Sequence, residues 1–267
     1  MEFISITNQV QIAEYFEQCG IDDIMVDLEI IGKRERQKGL NTVISAHSIE
    51  DVEKIKKSLK RSKCLVRINP IHPNSENEIE EVIKRKADII MLPMFTTAEE
   101  VKVFINQVDN RALKYLLLET PQAMVRIDDI LEVKGIDAIH IGLNDLSFGM
   151  GLSFLYESLI GGIVEYLALK IVPRKIKFGF GGVSRLEKGR NIISEHVRLG
   201  SQMVIINRDF RNYKETLAEI RQEIDVEKEI HKIRLFIKNL KKSSPDVLEA
   251  NRLSLIEEIK TQIYKKV

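Results

Sequence analysis

Short apolar runs alternate with amphipathic segments from the first residues onward. Phe3-Ile4-Ser5-Ile6-Thr7 predicts a strand, and residues 9 to 19 predict a helix that Gly20 ends as its C-cap. Ile24-Met25-Val26-Asp27-Leu28-Glu29 predicts a second strand with acids at its end. The charged stretch Lys33-Arg34-Glu35-Arg36-Gln37-Lys38 reads most simply as a solvated loop. Ser48 and Asp51 suit the start of a helix over 49 to 59, as cap and first-turn acid. Further strands are expected at 65–70, 89–94, 115–118, 138–142, 177–182 and 203–206, and helices around 76–85, 98–108 and 154–169. Strands alternating with helices of about ten to fifteen residues indicate βαβ units and a parallel sheet. With Thr42-Val43-Ile44-Ser45 the strand-like runs number nine, one more than a closed (β/α)8 barrel needs, and that run is the one to drop. The expected fold is therefore α/β, a (β/α)8 TIM barrel over residues 1–210. A doubly wound open sheet is the alternative, but no Gly-x-Gly-x-x-Gly follows the first strand.

The last fifth of the chain has a different pattern. Val226, Ile230, Ile233, Ile237 and Leu240 recur at steps of four and three, the seam of a packed helix. Ser243-Ser244-Pro245 stops that helix and starts another, whose stripe continues through Ile256, Ile259 and Ile263. Residues 211–267 thus read as a C-terminal helical hairpin, packed on its own barrel or on another subunit. The expectation taken forward is a homo-oligomer with this stripe in the subunit interface.

Composition narrows the function. The chain has 267 residues, of which 44% are hydrophobic, enough for one α/β barrel with a sizeable core. Lys and Arg total 41 against 40 Asp and Glu, a net charge of +1 that asks for neither nucleic acid nor membrane. An anionic small-molecule substrate stays open, because a local arginine does not register in a total. Cys19 and Cys64 are too few for a disulfide framework or a thiolate metal site, and a reducing cytoplasm fits. The first residues carry no basic or long apolar segment, so neither signal peptide nor membrane span is expected.

Candidate chemistry sits at strand ends. Two apolar runs, Tyr115–Leu118 and Ala138–Gly142, are each followed by a carboxylate, Glu119 and Asp145. The carboxyl ends of barrel strands are where active sites are built. Two acids from consecutive strands there could be hard oxygen ligands for Mg²⁺ or Mn²⁺, or merely solvated loop acids. Arg67 interrupts an apolar strand and needs a partner. Either Asp27 or Glu29 could supply it, or a substrate carboxylate gripped by the guanidinium fork, and the two are compatible. Gly179, Gly181 and Gly182 leave one strand end nearly without side chains, for close ligand approach or for tight packing.

Together these stretches resemble the HpcH/HpaI aldolase and citrate lyase family, over about residues 24 to 206. The resemblance rests on Val26-Asp27-Leu28-Glu29, the strand Leu65 to Pro70, Ala87 to Met94, Leu118-Glu119-Thr120, and Ile136 to Ser147. It implies a phosphoenolpyruvate/pyruvate-type (β/α)8 barrel and a metal-dependent aldolase or lyase acting on a 2-oxo acid. It implies Glu119 and Asp145 as ligands of a divalent cation, and Arg67 as the arginine that binds the 2-oxo acid and steadies the enolate. Asp27 and Glu29 match the acids that orient water or neighbouring side chains. Asn69, Gly142, Leu143 and Asn144 fall on substrate-binding stretches. One departure stands out. In the hydroxy-acid aldolase branch a histidine base directly follows the acid pair, and this chain has Ile30. The Asp-Leu-Glu and Arg-Ile-Asn-Pro wording looks more like the citrate lyase β branch, which acts on acyl-CoA thioesters. That branch usually continues with Asp-Ala, where Ile30-Ile31-Gly32 stands here.

Three functions therefore compete: a 2-oxo acid lyase or aldolase, an acyl-CoA lyase, and a catalytically quiet keto-acid-binding subunit. A replacement for the missing histidine would favour the first. His47 and His72 lie near strand ends, whereas His140 is mid-strand and reads as core. His47, whose loop follows the acids of the second strand, is the expected general base or acid.

Overall fold

The computed structural model of the protein describes residues 1–33 and 46–264. Eight parallel strands close a barrel in sequence order: β1 (Glu2–Ile6), β2 (Asp23–Asp27), β3 (Lys63–Arg67), β4 (Ile89–Leu92), β5 (Leu113–Leu118), β6 (Ala138–Ile141), β7 (Lys177–Val183) and β8 (Met203–Ile206). β8 pairs back with β1, Phe3 opposite Val204. The expected (β/α)8 barrel is the fold observed. The expected run 42–45 lies outside the described residues, as does all of the charged stretch after Lys33.

Alternation along each strand divides the apolar residues between two cores. Ile24 and Val26 face outward into the layer shared with the helices, while Met25 joins Ile4, Leu65, Met91, Tyr115 and Leu117 inside the barrel. On β2 the same alternation turns Asp23 and Asp27 inward, one at each end of the barrel. At the carboxyl end the inward positions are polar because the chain leaves the sheet there and the cavity begins.

The outer layer comprises α1 (Val10–Gln18), α2 (Ile49–Ser58), α3 (Ser75–Lys84), α4 (Ala98–Val108), α5 (Pro121–Val125), α6 (Ile127–Leu131), α7 (Leu143–Gly149), α8 (Glu157–Ile160), α9 (Ile163–Ile171) and α10 (Leu186–Arg198). The single helix expected over 154–169 is two, α8 and α9. Gly162 between them takes φ +85°, a left-handed conformation that ends one helix before the next begins. Caps fix the turns that carry the site. Thr120 Oγ1 accepts the Ala123 N–H at 3.1 Å and donates to the Phe95 carbonyl at 2.8 Å, with Pro121 opening α5. The residue before that cap is Glu119.

After the barrel come α11 (Leu217–Glu223), α12 (Val226–Leu240) and α13 (Pro245–Tyr264), so the C-terminal region holds three helices rather than a hairpin. The stripe Val226, Ile230, Ile233, Ile237 and Leu240 is buried in the chain's own outer core, and α12 and α13 both pack on α10. Arg234 ties α12 to the amino-terminal end of the barrel. It donates to the Gly20 carbonyl at 2.6 Å and to Asp22 at 2.8 Å, and it stacks over the Phe3 ring. The expectation that this stripe forms a subunit interface is corrected: the barrel itself already removes those residues from water. No described helix is long and apolar enough to cross a membrane.

Candidate active site at the carboxyl end of the barrel

A cavity of about 550 Å³ opens at the carboxyl ends of the strands. Asp27, Lys33, Arg67, Glu119 and Asp145 all line it, with His47 and His140.

Its floor is an ion-paired cluster. Asp27, the last residue of β2, takes Arg67 Nε and Nη2 in a two-pronged pair at 2.8 Å each, and Lys33 Nζ at 2.7 Å. Glu29 stands behind, 3.4 Å from Arg67 Nη1 and 3.5 Å from Lys33 Nζ. Parallel register puts Asp27 directly beside Arg67 on β3, which is why this pair forms. Burial alone would push the Asp27 carboxyl up, but the two cations beside it hold it well below the usual carboxylate range. Of the two partners open to Arg67, the internal acid is the one observed, and its carboxylate-binding fork is occupied by Asp27. Lys33 corrects the reading of residues 33–38 as a solvated loop. Its side chain is only 4% exposed, because two buried carboxylates need a second cation. The one cue in the sequence is its spacing of four from Glu29.

Glu119 and Asp145 come to the same cavity from neighbouring strand ends. Glu119 Oε1 accepts the Met94 N–H at 3.3 Å, and Asp145 lies in the first turn of α7. Gly142 caps that helix, and a Cβ there would stand 2.6 Å from Glu119 Oε2, so only glycine leaves room for the carboxylate. Among the described residues no three His, Cys, Asp or Glu side chains form a metal-binding group. Two hard carboxylates on one cavity wall fit Mg²⁺ or Mn²⁺, which keep waters as ligands, and do not fit a closed zinc site.

His47 is pinned from below. Its Nδ1 accepts the Asp27 backbone N–H at 2.9 Å, so the neutral ring carries its proton on Nε2. Burial lowers its pKa, and a proton added at Nδ1 would meet that N–H. A general base needs a bare nitrogen, so this geometry makes His47 a hydrogen-bond donor instead. His72 is engaged elsewhere, with Nε2 3.1 Å from Glu78. His140, buried in β6, donates from Nε2 to the Gly181 carbonyl at 2.9 Å, and burial pushes its pKa down to about 4.

The remaining expected positions divide. Gly142, Leu143 and Asn144 line the cavity. Asn69 does not: its Oδ1 accepts the Ile30 and Ile31 N–H groups at 2.9 Å each, and its amide donates to Glu78 at 2.8 Å. Its polar atoms hold the loop after β2, so its assignment to substrate is corrected. Glu29 is also off the cavity wall. Ile30, where the resemblance leads one to expect a histidine, is 62% exposed and is not on the cavity wall.

Residues 1–158, more than half the chain, match the family model described as HpcH/HpaI aldolase/citrate lyase. The chain belongs to this family. Solved structures share its fold. An HpcH/HpaI aldolase from Desulfitobacterium hafniense has a TM-score of 0.63 at 17% identity, covering 84% of this chain and 93% of that one. Citrate synthase SbnG has a TM-score of 0.62 at 17% identity, covering 83% and 93%. The protein CitE from Mycobacterium tuberculosis, in complex with magnesium and acetate, has a TM-score of 0.60 at 13% identity, covering 94% and 96%. No curated protein sequence matches the chain. Membership of the HpcH/HpaI family supports an enzyme of the aldolase or citrate lyase type.

Proposed function

We propose that the protein is a metal-dependent carbon–carbon lyase of the aldolase type, acting on a 2-oxo acid such as pyruvate or oxaloacetate through an enolate. One observation supports it above others: Glu119, Asp145, Arg67 and Lys33 line a single cavity at the end of the barrel where such sites are built. Glu119 and Asp145 would hold Mg²⁺ or Mn²⁺, which would polarise the carbonyl of a bound 2-oxo acid. Arg67, fixed by Asp27, places positive charge on the wall where an enolate oxygen would form, and it needs no reorganisation to do so. Gly142, Leu143 and Asn144 shape the wall beside Glu119. His47 donates its Nε2–H to negative charge developing at the mouth, a positioned donor rather than the proton acceptor expected from the sequence. The catalytic unit is residues 1–210, with 211–267 a helical brace. The enzyme works in the cytoplasm as a homo-oligomer, using a face other than the α12 stripe.

Crystals soaked with Mg²⁺ and pyruvate or oxaloacetate test the reading. The 2-oxo acid bound against Glu119 and Asp145 would support it, and a cavity left empty at saturating ligand would reject it. An acyl-CoA lyase is the second reading, favoured by Ile30 standing where the aldolase branch has its histidine base. Carbon–carbon cleavage of an acyl-CoA thioester, with none of the free acid, would select it.

A further inference from the structure

Beyond β8 the chain turns at Asn207 into a short 3-10 helix, Arg208–Arg211. Residues three apart in such a helix eclipse one another, so Arg208 and Arg211 stand on one side, and both line the cavity. Their situation differs from that of the other cations there. Arg67 and Lys33 are paired with Asp27 and Glu29. Among the described residues, neither the Arg208 nor the Arg211 side chain forms a hydrogen bond or ion pair, and the Arg208 guanidinium lies 6.0 Å from the Tyr213 ring centroid. Glu215, exposed at the same rim, is not paired with Arg211, and Asp209 between them is off the cavity wall. Burial, then the charge of Arg208, lowers the Arg211 pKa and outweighs the opposing charge of Glu215. In (β/α)8 barrels the loops after the seventh and eighth strands, with a short extra helix, are a recurrent place for anion binding.

We infer that Arg208 and Arg211 bind a second anionic group of the substrate, the far carboxylate of a 2-oxo dicarboxylic acid or a phosphate. The inference rests on the reading of Glu119 and Asp145 as the 2-oxo acid end of the same cavity. A substrate bridging the two ends would carry one anion to the metal-binding carboxylates and the other to the guanidinium pair, which offers planar, two-pronged recognition. A monoanion such as pyruvate would use the first end alone.

The test is calorimetric titration of the full chain with Mg²⁺ present, comparing the native protein with Arg208→Gln and Arg211→Gln. Arg208→Gln and the conservative Arg211→Lys guard against a folding defect in Arg211→Gln. The ligands are pyruvate, oxaloacetate, 2-oxoglutarate and inorganic phosphate. Each Gln variant should weaken the 2-oxo dicarboxylates by about 10–100-fold, as loss of a charge-assisted contact does, and weaken pyruvate by less than about fivefold. Phosphate binding lost in the variants, with dicarboxylates binding no more tightly than pyruvate, would assign the pair to a phosphate. Dicarboxylate and phosphate affinities both unchanged in the variants would overturn the inference. Failure of pyruvate to bind the native protein, alongside arginine-dependent binding of phosphate, would instead overturn the 2-oxo acid reading and leave the anion site standing.

Discussion

Asp23 and Asp27 lie on one strand, point into one barrel and are almost wholly buried, yet their chemistry is opposite. Asp27, at the carboxyl end, meets Arg67 and Lys33 and is held ionised. Asp23, at the amino end, has both carboxylate oxygens buried without a hydrogen-bond partner among the described residues. Burial pushes its pKa up to about 7, and the nearby charge of Glu2 adds to the rise against Lys63 and Lys177. Residue type and depth are the same, so the difference comes from where cations were placed. The carboxyl end spends buried charge on a preorganised electrostatic wall, whereas the amino end tolerates a strained acid that touches no proposed chemistry.

The comparison can be broken most forcefully at the proposed active end. His47→Ala should cut turnover about 10²–10³-fold, as loss of one positioned donor does, without lowering metal affinity. Because burial lowers the His47 pKa and its Nδ1 is occupied, any titration it shows should lie on the acid side of an ordinary histidine's. A fall in kcat along an ordinary histidine titration, near pH 6.5, would show that the ring takes up a second proton after all.

Arg67→Ala comes next. It strips Asp27 of its two-pronged partner, leaving only Lys33, and should destabilise the protein by about 3 kcal/mol. For a chain of this size the melting temperature should drop by roughly 6–12 °C. Asp27 has a folded pKa below its unfolded value, so the stability it contributes is present above the ordinary carboxylate range and lost as pH falls. The penalty of Arg67→Ala should therefore shrink in acid, and a penalty that is constant down to low pH would place its origin in packing instead.

Asp23→Asn should act in the opposite sense. Asp23 has a folded pKa of about 7, raised from 3.8, so the folded protein holds its proton more tightly than the unfolded chain. Its contribution to stability is complete below about pH 4 and is lost as pH rises through about 7. The amide should therefore stabilise the protein at pH 8 by about 2 kcal/mol, or roughly 4–8 °C in melting temperature, and do nothing at pH 4. A variant that is destabilised at pH 8 would mean that Asp23 is an ionised, paired group like Asp27, and the contrast would disappear.

Much of this arrangement was legible before the structure. Periodicity located all eight strands, and position at strand ends brought Glu119, Asp145 and Arg67 to one cavity, because in a parallel barrel every strand end faces the same way. What escaped is physically instructive. Lys33 was hidden in a run of charges that would be solvated by default, since its burial depends on the turn after β2 folding it back onto Asp27 and Glu29. Helices α5 and α6 are five residues each, too short to show a period. Helix α10 was not predicted although it is long; its apolar side includes buried Ser194, Glu195 and His196, which a hydrophobic pattern does not register. Asn69 sits on a binding motif yet serves the backbone of Ile30 and Ile31, and spacing alone cannot distinguish those uses. Arg208 and Arg211 carry no periodic signal, and only the closure of β8 onto β1 turns them toward the cavity.

The central claim is that Glu119 and Asp145 hold a divalent cation at the carboxyl end of the barrel. It is tested most directly by titrating Mn²⁺ into the native protein and into Glu119→Gln by calorimetry, with melting curves of both metal-free proteins alongside. The account predicts that affinity falls at least ~10-fold, since even outer-shell changes at metal sites cost that much, while the metal-free melting temperature hardly moves. Mn²⁺ binding of equal strength in the two proteins would contradict it.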